Sequence, residues 1–366
     1  MYKSLTTPQG VVLYRSDIKY RIENVDAIVF DVDGTLVNTL NSYNKAIYYT
    51  VNFFLKTLTN ITIPEHLVME TIHKLRLTGG FNNDWDTTYA IIMGVLSTLD
   101  INSLSRIAKT LSERGIPSQP AIQVESIDFI SGLENVVNSV DSRGIASIEE
   151  WMRGLPKVKC EYLMRISRLL KYPDGIDESP LVQVFNEYYY GSKLYSKLTG
   201  RQPILNVSRG LIECEELIVK EETLRLLKDK TRGKLGIVTG RSRIATELVL
   251  KSILKKFFKP NALVFIEDLT KGMHRHSYNT ISKPNPYTLR YCLKVLKPYK
   301  YAMYLGDSVE DALMAKRVNC EGELIFVGVY RYTINPESTI KVFMKLHVPV
   351  IIPTVNELAI LMEGSL

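Results

Sequence analysis

Residues 27–37 read Ala27-Ile28-Val29-Phe30-Asp31-Val32-Asp33-Gly34-Thr35-Leu36-Val37, and this stretch decides the fold. Its first four residues form a short apolar run suited to a strand covered on both faces, and the Asp-Val-Asp-Gly-Thr behind it is turn chemistry at that strand's carboxyl end. From Lys234 onward, short β-branched runs alternate with helical patterns. The series predicts strands at 235–239, 263–267, 301–306, 324–329 and 348–352. Helices are predicted around 244–258, 286–296 and 309–318, with a last one at the end of the chain. Such alternation builds a doubly wound, Rossmann-like parallel sheet with helices on both faces, the α/β class. The strand at 27–30 belongs to that sheet although it lies far upstream.

What separates it from Leu235 is a long insertion. Apolar residues recur at helical spacing at Leu40, Tyr43, Ile47, Val51, Phe54, Leu55 and Leu58, and helical patterns continue over 64–75, 85–99, 104–111, 148–170 and 181–198. The expected organisation is a β extension at 1–24, a core made of 25–39 with 205–366, and a large inserted α-helical cap at 40–204. Strands at 11–14 and 19–22 around a Ser16-Asp17 turn are expected in the extension, which is given no function. Residues 116–147, rich in Pro, Ser and Gly, show no clear pattern.

The chain has 366 residues, 45% hydrophobic and 23% charged. That is enough for two domains with cores of their own, and it lacks the composition of a disordered chain. No apolar run approaches the ~20 residues of a membrane helix, and the first ten residues lack a secretory signal. A cytoplasmic protein without membrane association is expected. Cys160, Cys214, Cys292 and Cys320 are widely spaced and contain no Cys-x-x-Cys pair, which argues for reduced, mostly buried thiols. The net charge of +7 is spread without an arginine-rich arm, so an anionic small molecule fits and a nucleic-acid partner is not expected. The basic run Lys255-Lys256-Phe257-Phe258-Lys259 reads as the solvated face of an amphipathic helix.

Ligands of an open parallel sheet bind beyond the carboxyl ends of its strands. Four polar signatures fall there: Asp31 to Val37; Val238-Thr239-Gly240-Arg241; Lys283-Pro284-Asn285-Pro286; and Gly306-Asp307-Ser308-Val309-Glu310-Asp311-Ala312. Each alone can be a turn or a helix cap. In this order and at these strand ends, they resemble the four motifs of the haloacid dehalogenase superfamily, most closely its phosphatases with a helical cap inserted after the first motif. The resemblance covers about half the chain.

It implies an Mg²⁺-dependent phosphohydrolase of a small phosphorylated metabolite, with Asp31 as the nucleophile that becomes a phospho-aspartate. The chemistry agrees. A carboxylate attacking a phosphate dianion needs a cation to screen the two partners, and Mg²⁺ prefers oxygen ligands such as Asp31 and Asp307. Asp33 would add its backbone carbonyl, and Asp311 would support the metal directly or through water. Two residues from the nucleophile, the Asp33 side chain can protonate the leaving oxygen and then activate water. Thr239 and the Gly240 amide can hydrogen-bond the phosphoryl oxygens, and Lys283 can neutralise charge on phosphate and Asp31. Ser308 and Arg241 are explained as well by a helix cap and a surface salt bridge.

Val37-Asn38-Thr39 departs from the acidic residue that many relatives carry after Gly-Thr-Leu, which touches the hinge and substrate side and not the core chemistry. In the cap, Gly79-Gly80-Phe81-Asn82-Asn83-Asp84-Trp85-Asp86 reads either as an N-terminal cap made by Asp84 or Asp86, with apolar anchors, or as a substrate-facing loop. The second reading makes Phe81, Asn82, Asn83 and Trp85 specificity residues. Together with Phe185-Asn186-Glu187-Tyr188-Tyr189-Tyr190-Gly191, this loop also resembles a poorly characterised branch of the capped phosphatases, which supplies no substrate. Tyr188–Tyr190 read as cap packing, and His274 and His276 as a polar loop without metal partners. A phosphomutase would use the same carboxylates. A dehalogenase would need neither Asp33, Asp307 nor Asp311, and a non-catalytic binding protein of this fold would be expected to have lost a carboxylate or the lysine. Homo-oligomerisation stays open.

Overall fold

The computed structural model describes residues 2–265, 267, 283–318 and 323–362. His274, His276 and Cys320 lie outside them. The chain divides into two compact units, Met1–Leu40 with Glu215–Leu366, and Asn41–Cys214.

The first unit is built on an eight-stranded sheet. Its strands are β1 (Tyr2–Thr7), β2 (Gly10–Arg15), β3 (Val25–Phe30), β6 (Leu235–Thr239), β7 (Leu263–Phe265), β8 (Tyr301–Gly306), β9 (Leu324–Val329) and β10 (Val350–Ile352), in the order β1-β2-β10-β9-β8-β3-β6-β7. The pairs from β10 through to β7 are parallel, and β1 and β2 add antiparallel strands beside β10. Two short strands, β4 (Val37–Asn38) and β5 (Glu216–Leu217), pair antiparallel where the chain leaves and re-enters this unit.

Alternation along the strands explains why the sheet is covered on both sides. Ile28 and Phe30 of β3, Met303 and Leu305 of β8, and Ile325 and Val327 of β9 join one buried cluster. Ala27 and Val29, Ala302 and Tyr304, and Leu324 and Phe326 join the other. Successive side chains of a strand point to opposite faces, so a parallel strand inside such a sheet reads as an unbroken apolar run. Phe257 and Phe258 enter the first cluster while Lys256 pairs with Glu221, the solvated-face arrangement expected of the basic run.

Two expectations need correction here. Lys19–Glu23 is a helix, not a strand: Ile22 alone is buried in it, at helical spacing from Ile18, and the strand partner that β1 and β2 find in each other is absent. The helix expected over 244–258 is two, Arg243–Leu250 and Ser252–Phe257, broken at Lys251 with φ +47°, where an L residue cannot continue a right-handed helix.

The second unit is helical: Tyr43–Thr59, Glu65–Leu77, Asp84–Leu96, Ile101–Arg114, Phe129–Ser139, Ile145–Arg153, Lys157–Leu169, Pro180–Tyr190 and Ser192–Thr199. The patterns over 148–170 and 181–198 are each two helices. Gly154-Leu155-Pro156 breaks the first, since proline lacks the amide a helix interior needs, and Gly191 at φ +78° breaks the second. Residues 116–147 do contain a helix, Phe129–Ser139, capped by the Asp128 side chain on Ser131 N–H. Residues 201–207 belong to this unit because buried Glu187 accepts Ile204 and Leu205 amides at 2.7 and 2.8 Å. Tyr189 stacks on Tyr43 with ring centroids 4.5 Å apart, so the tyrosine run does pack this unit's interior. Among the described residues no helix is long and apolar enough to cross a membrane.

Candidate active site

β3 ends at Phe30, and the Asp31 amide still donates to Leu305 O at 2.8 Å, which holds the next residue against β8. A tight loop follows. The amides of Thr35, Leu36 and Val37 all donate to Val32 O, and Gly34 N–H donates to Val37 O at 2.8 Å. Gly34 has φ +66°, and a Cβ there would lie 2.0 Å from Asp307 Oδ2. Only glycine satisfies both the backbone and the close approach of Asp307. Gly306 at the end of β8 is constrained in the same way, since a Cβ would meet the Asp311 carboxylate at 2.5 Å.

These loops bring together four predicted residues. Asp31, Asp307 and Asp311 place carboxylate oxygens within 4.8 Å of one another. Lys283 Nζ sits between two of them, 2.9 Å from Asp31 Oδ1 and 2.8 Å from Asp311 Oδ1, with its side chain 6% exposed. Burial pushes the Asp31 carboxyl up to about 7: Lys283 opposes the shift, and Asp311 and Asp33 add to it. Burial alone would favour neutral Lys283, yet Asp31 and Asp311 hold its ammonium above the ordinary lysine range.

Asp311 is fully buried and heavily committed. Its Oδ1 accepts Tyr304 O–H at 2.5 Å as well as Lys283, and its Oδ2 accepts the Ser308 hydroxyl at 2.6 Å and the Ser308 amide at 3.3 Å. Ser308 Oγ in turn accepts Asp311 N–H at 3.1 Å, so Ser308 caps the helix Val309–Val318 and fixes the carboxylate at once. Tyr304 carried no sequence signal beyond an apolar strand position.

On the neighbouring strand, Thr239 is buried at the end of β6 and its Oγ1 accepts Arg241 N–H at 3.1 Å. Gly240 is exposed beside it. Of the two readings of Arg241, the surface salt bridge is the one the structure corrects: its side chain is 0% exposed and bonded to Asp33 Oδ1 at 2.7 Å and to the equally buried Glu215. Burial of a guanidinium demands such partners. Glu215, like Tyr304, is absent from the expectations, and only the pairing of β4 with β5 reveals why it lies here.

In the helical unit the Gly79–Asp86 segment leads into the helix Asp84–Leu96. Phe81 is fully buried, and Asn83, not Asp84 or Asp86, caps the helix Asp84–Leu96 by accepting Trp85 and Asp86 amides at 2.9 and 3.3 Å. Asp84 pairs with Arg76 at 2.8 Å, and buried Asp86 accepts Tyr172 O–H. Asn82 is exposed and Trp85 half-buried. Of the described thiols, Cys292 is buried, Cys160 half-buried and Cys214 exposed, which is less buried than expected.

Beyond the strand ends of a mostly parallel sheet, three carboxylates lie close together and a lysine bridges two of them. Residues 177–319 match the family described as haloacid dehalogenase-like hydrolase. The match holds Thr239, Lys283, Asp307 and Asp311; the sheet supplies Asp31 and Asp33 from outside it. A crystal structure from the Northeast Structural Genomics Consortium is 18% identical over 93% of this chain and 99% of its own, with a TM-score of 0.61, which shows the shared fold. A phosphatase from Thermococcus thioreducens is 22% identical over 87% of this chain and 98% of its own, at a TM-score of 0.46. A hydrolase from Pseudomonas syringae is 14% identical over 93% and 99%, at 0.42. No curated protein matches the chain.

Proposed function

We propose that this hydrolase removes phosphate from a small phosphorylated metabolite through a phospho-aspartate on Asp31. The observation that carries the reading is the Lys283 ammonium bridging Asp31, just past β3, and Asp311, in the first turn of the helix that follows β8. An Asp31 oxygen attacks phosphorus, the ester P–O bond breaks, and the leaving oxygen keeps the electron pair of that bond and takes a proton from the Asp33 carboxyl. Water then attacks the acyl phosphate, gives a proton to Asp33, and releases inorganic phosphate and the Asp31 carboxylate. Thr239 and the Gly240 amide bind the phosphoryl oxygens, with Lys283 offsetting their charge.

A magnesium ion fits the donor set, because the carboxylates outweigh the single lysine and are all hard oxygen donors. Asp31, Asp307 and the Asp33 carbonyl would hold it. Asp311, whose oxygens already accept Lys283, Tyr304 and Ser308, would act from behind by fixing the lysine. When bound, the ion would supply electrostatic screening of the attacking carboxylate and the phosphate.

The test is phosphate release from a panel of phosphorylated metabolites, with Mg²⁺ and with chelator. Release that depends on Mg²⁺ and disappears in Asp31→Asn is expected. Turnover by Asp31→Asn at more than a few per cent of the parent rate removes the covalent mechanism, and no release from any monoester removes the activity.

A further inference from the structure

The mechanism so far gives no task to Arg241 or Glu215, although they form the most deeply buried ion pair among the described residues, both side chains 0% exposed. The guanidinium is fixed from several directions. Nη2 donates to Glu215 Oε2 and to Ala245 O at 3.2 Å, and Nη1 donates to Glu215 Oε1 at 3.2 Å. A two-pronged carboxylate contact of this kind sets the plane of the group as well as its position. Glu215 alone balances the charge of Arg241, so a third ionic partner is not needed for neutrality. Yet Nη1 also donates to Asp33 Oδ1 at 2.7 Å, and Asp33 is 31% exposed, at the open side of the network.

We propose that Arg241, clamped by Glu215, is a positioning residue that holds the Asp33 carboxyl in the orientation its proton transfers require; this rests on the phosphohydrolase reading above. The loop fixes Asp33's backbone, with Gly34 bonded to Val37 O and a bridge between Asp33 and Val37. Its side-chain torsions still need a restraint, and Arg241 supplies it. Committing Oδ1 to the guanidinium leaves Oδ2 as the oxygen that carries the proton.

The same residue orients a second group. Because Thr239 Oγ1 accepts the Arg241 amide, the hydroxyl hydrogen points away from that amide and is available to a phosphoryl oxygen. Glu215 is the first residue of the returning chain in this unit, so the clamp also ties that return to the acid. A purely structural pair would be served as well by apolar side chains of similar volume, which makes three charges in a row at a catalytic loop a poor stabiliser and a good aligner.

The test is single-turnover phosphorylation with two substrates, an aryl phosphate whose leaving group needs no proton and an alkyl phosphate whose leaving group does. Arg241→Met should slow the alkyl substrate by roughly 10–100-fold, the usual cost of misplacing a reacting group. The aryl substrate should lose far less, and KM should stay within about twofold for both. Arg241→Lys, keeping the charge and one contact, should recover part of the loss. In an Asp33→Asn background, Arg241→Met should add little. Glu215→Gln, which preserves shape and guards against a variant that fails to fold, should show the same leaving-group dependence to a smaller degree. Equal losses on both substrates in Arg241→Met and Glu215→Gln, or full additivity with Asp33→Asn, overturn the proposal and leave the phosphohydrolase reading standing. A parent enzyme that phosphorylates from neither substrate overturns both.

Discussion

Asp31 meets one ammonium and the fields of two further carboxylates in a buried site, and its stability contribution follows from that imbalance. Its folded pKa of about 7 lies above the ~3.9 of an unfolded aspartate. Between those values the folded state binds the extra proton, so this contribution is full below about pH 4 and is lost as pH rises through about 7. Asp31→Asn lacks that dependence. In chelator, the variant's unfolding free energy should gain on the parent's as pH goes from 5 to 8, by an amount on the order of 1–4 kcal/mol from ~1.4 kcal/mol per pKa unit, read from denaturant melts at each pH. A gap that shrinks with rising pH would mean that Lys283 governs the site's charge. The acids here were legible because each follows a readable strand by one to five residues, as Asp307 and Asp311 do after 301–306. Glu215 was not: it stands among Glu213, Cys214 and Glu216, and only the strand pairing at Glu216 and Leu217 selects it. Arg241 could be read equally as a site residue or as a surface salt bridge, because its partners come from residues far away in the chain.

At the scale of elements, β6, β8 and β9 lie where the apolar runs end, and the helix Val309–Val318 likewise, because turn residues bound them sharply. Periodicity failed where two helices share one apolar phase across a break, as over 148–170 and 181–198. It also could not tell which residue of 79–86 caps the following helix, since Asn83, Asp84 and Asp86 all suit the position. The observed cap separates two effects within one segment. Asn83→Ala should cost about 1 kcal/mol of stability, seen as a lower melting temperature, with kcat/KM for a small aryl phosphate little changed. Trp85→Ala or Asn82→Ala should instead lower kcat/KM for the best substrate by at least about tenfold, if these exposed and half-buried side chains read the substrate beyond its phosphate. Equal losses on both substrates would make the whole segment structural.

For the molecule as a whole, both apolar clusters of the sheet unit draw every member from residues 2–37 and 219–362. Nothing between 41 and 214 contributes, so the sheet meets the requirement of a domain with its own core. The two-strand neck adds a topological consequence. Val37 pairs with Leu217 and Asn38 with Glu216, which places the two ends of the insertion side by side in antiparallel register. To the sheet unit, the insertion is therefore an enlarged hairpin loop, and an Asn-Gly turn has the geometry to stand in for it. A chain with residues 40–214 replaced by Asn-Gly, keeping Thr39 and Glu215, should melt cooperatively and still hydrolyse a small aryl phosphate in Mg²⁺ while losing discrimination among larger monoesters. A chain that never folds would show the neck to be a structural strut. If it folds, the insertion is a cassette, and what sits between Thr39 and Glu215 is free to be exchanged without rewriting the chemistry beneath it.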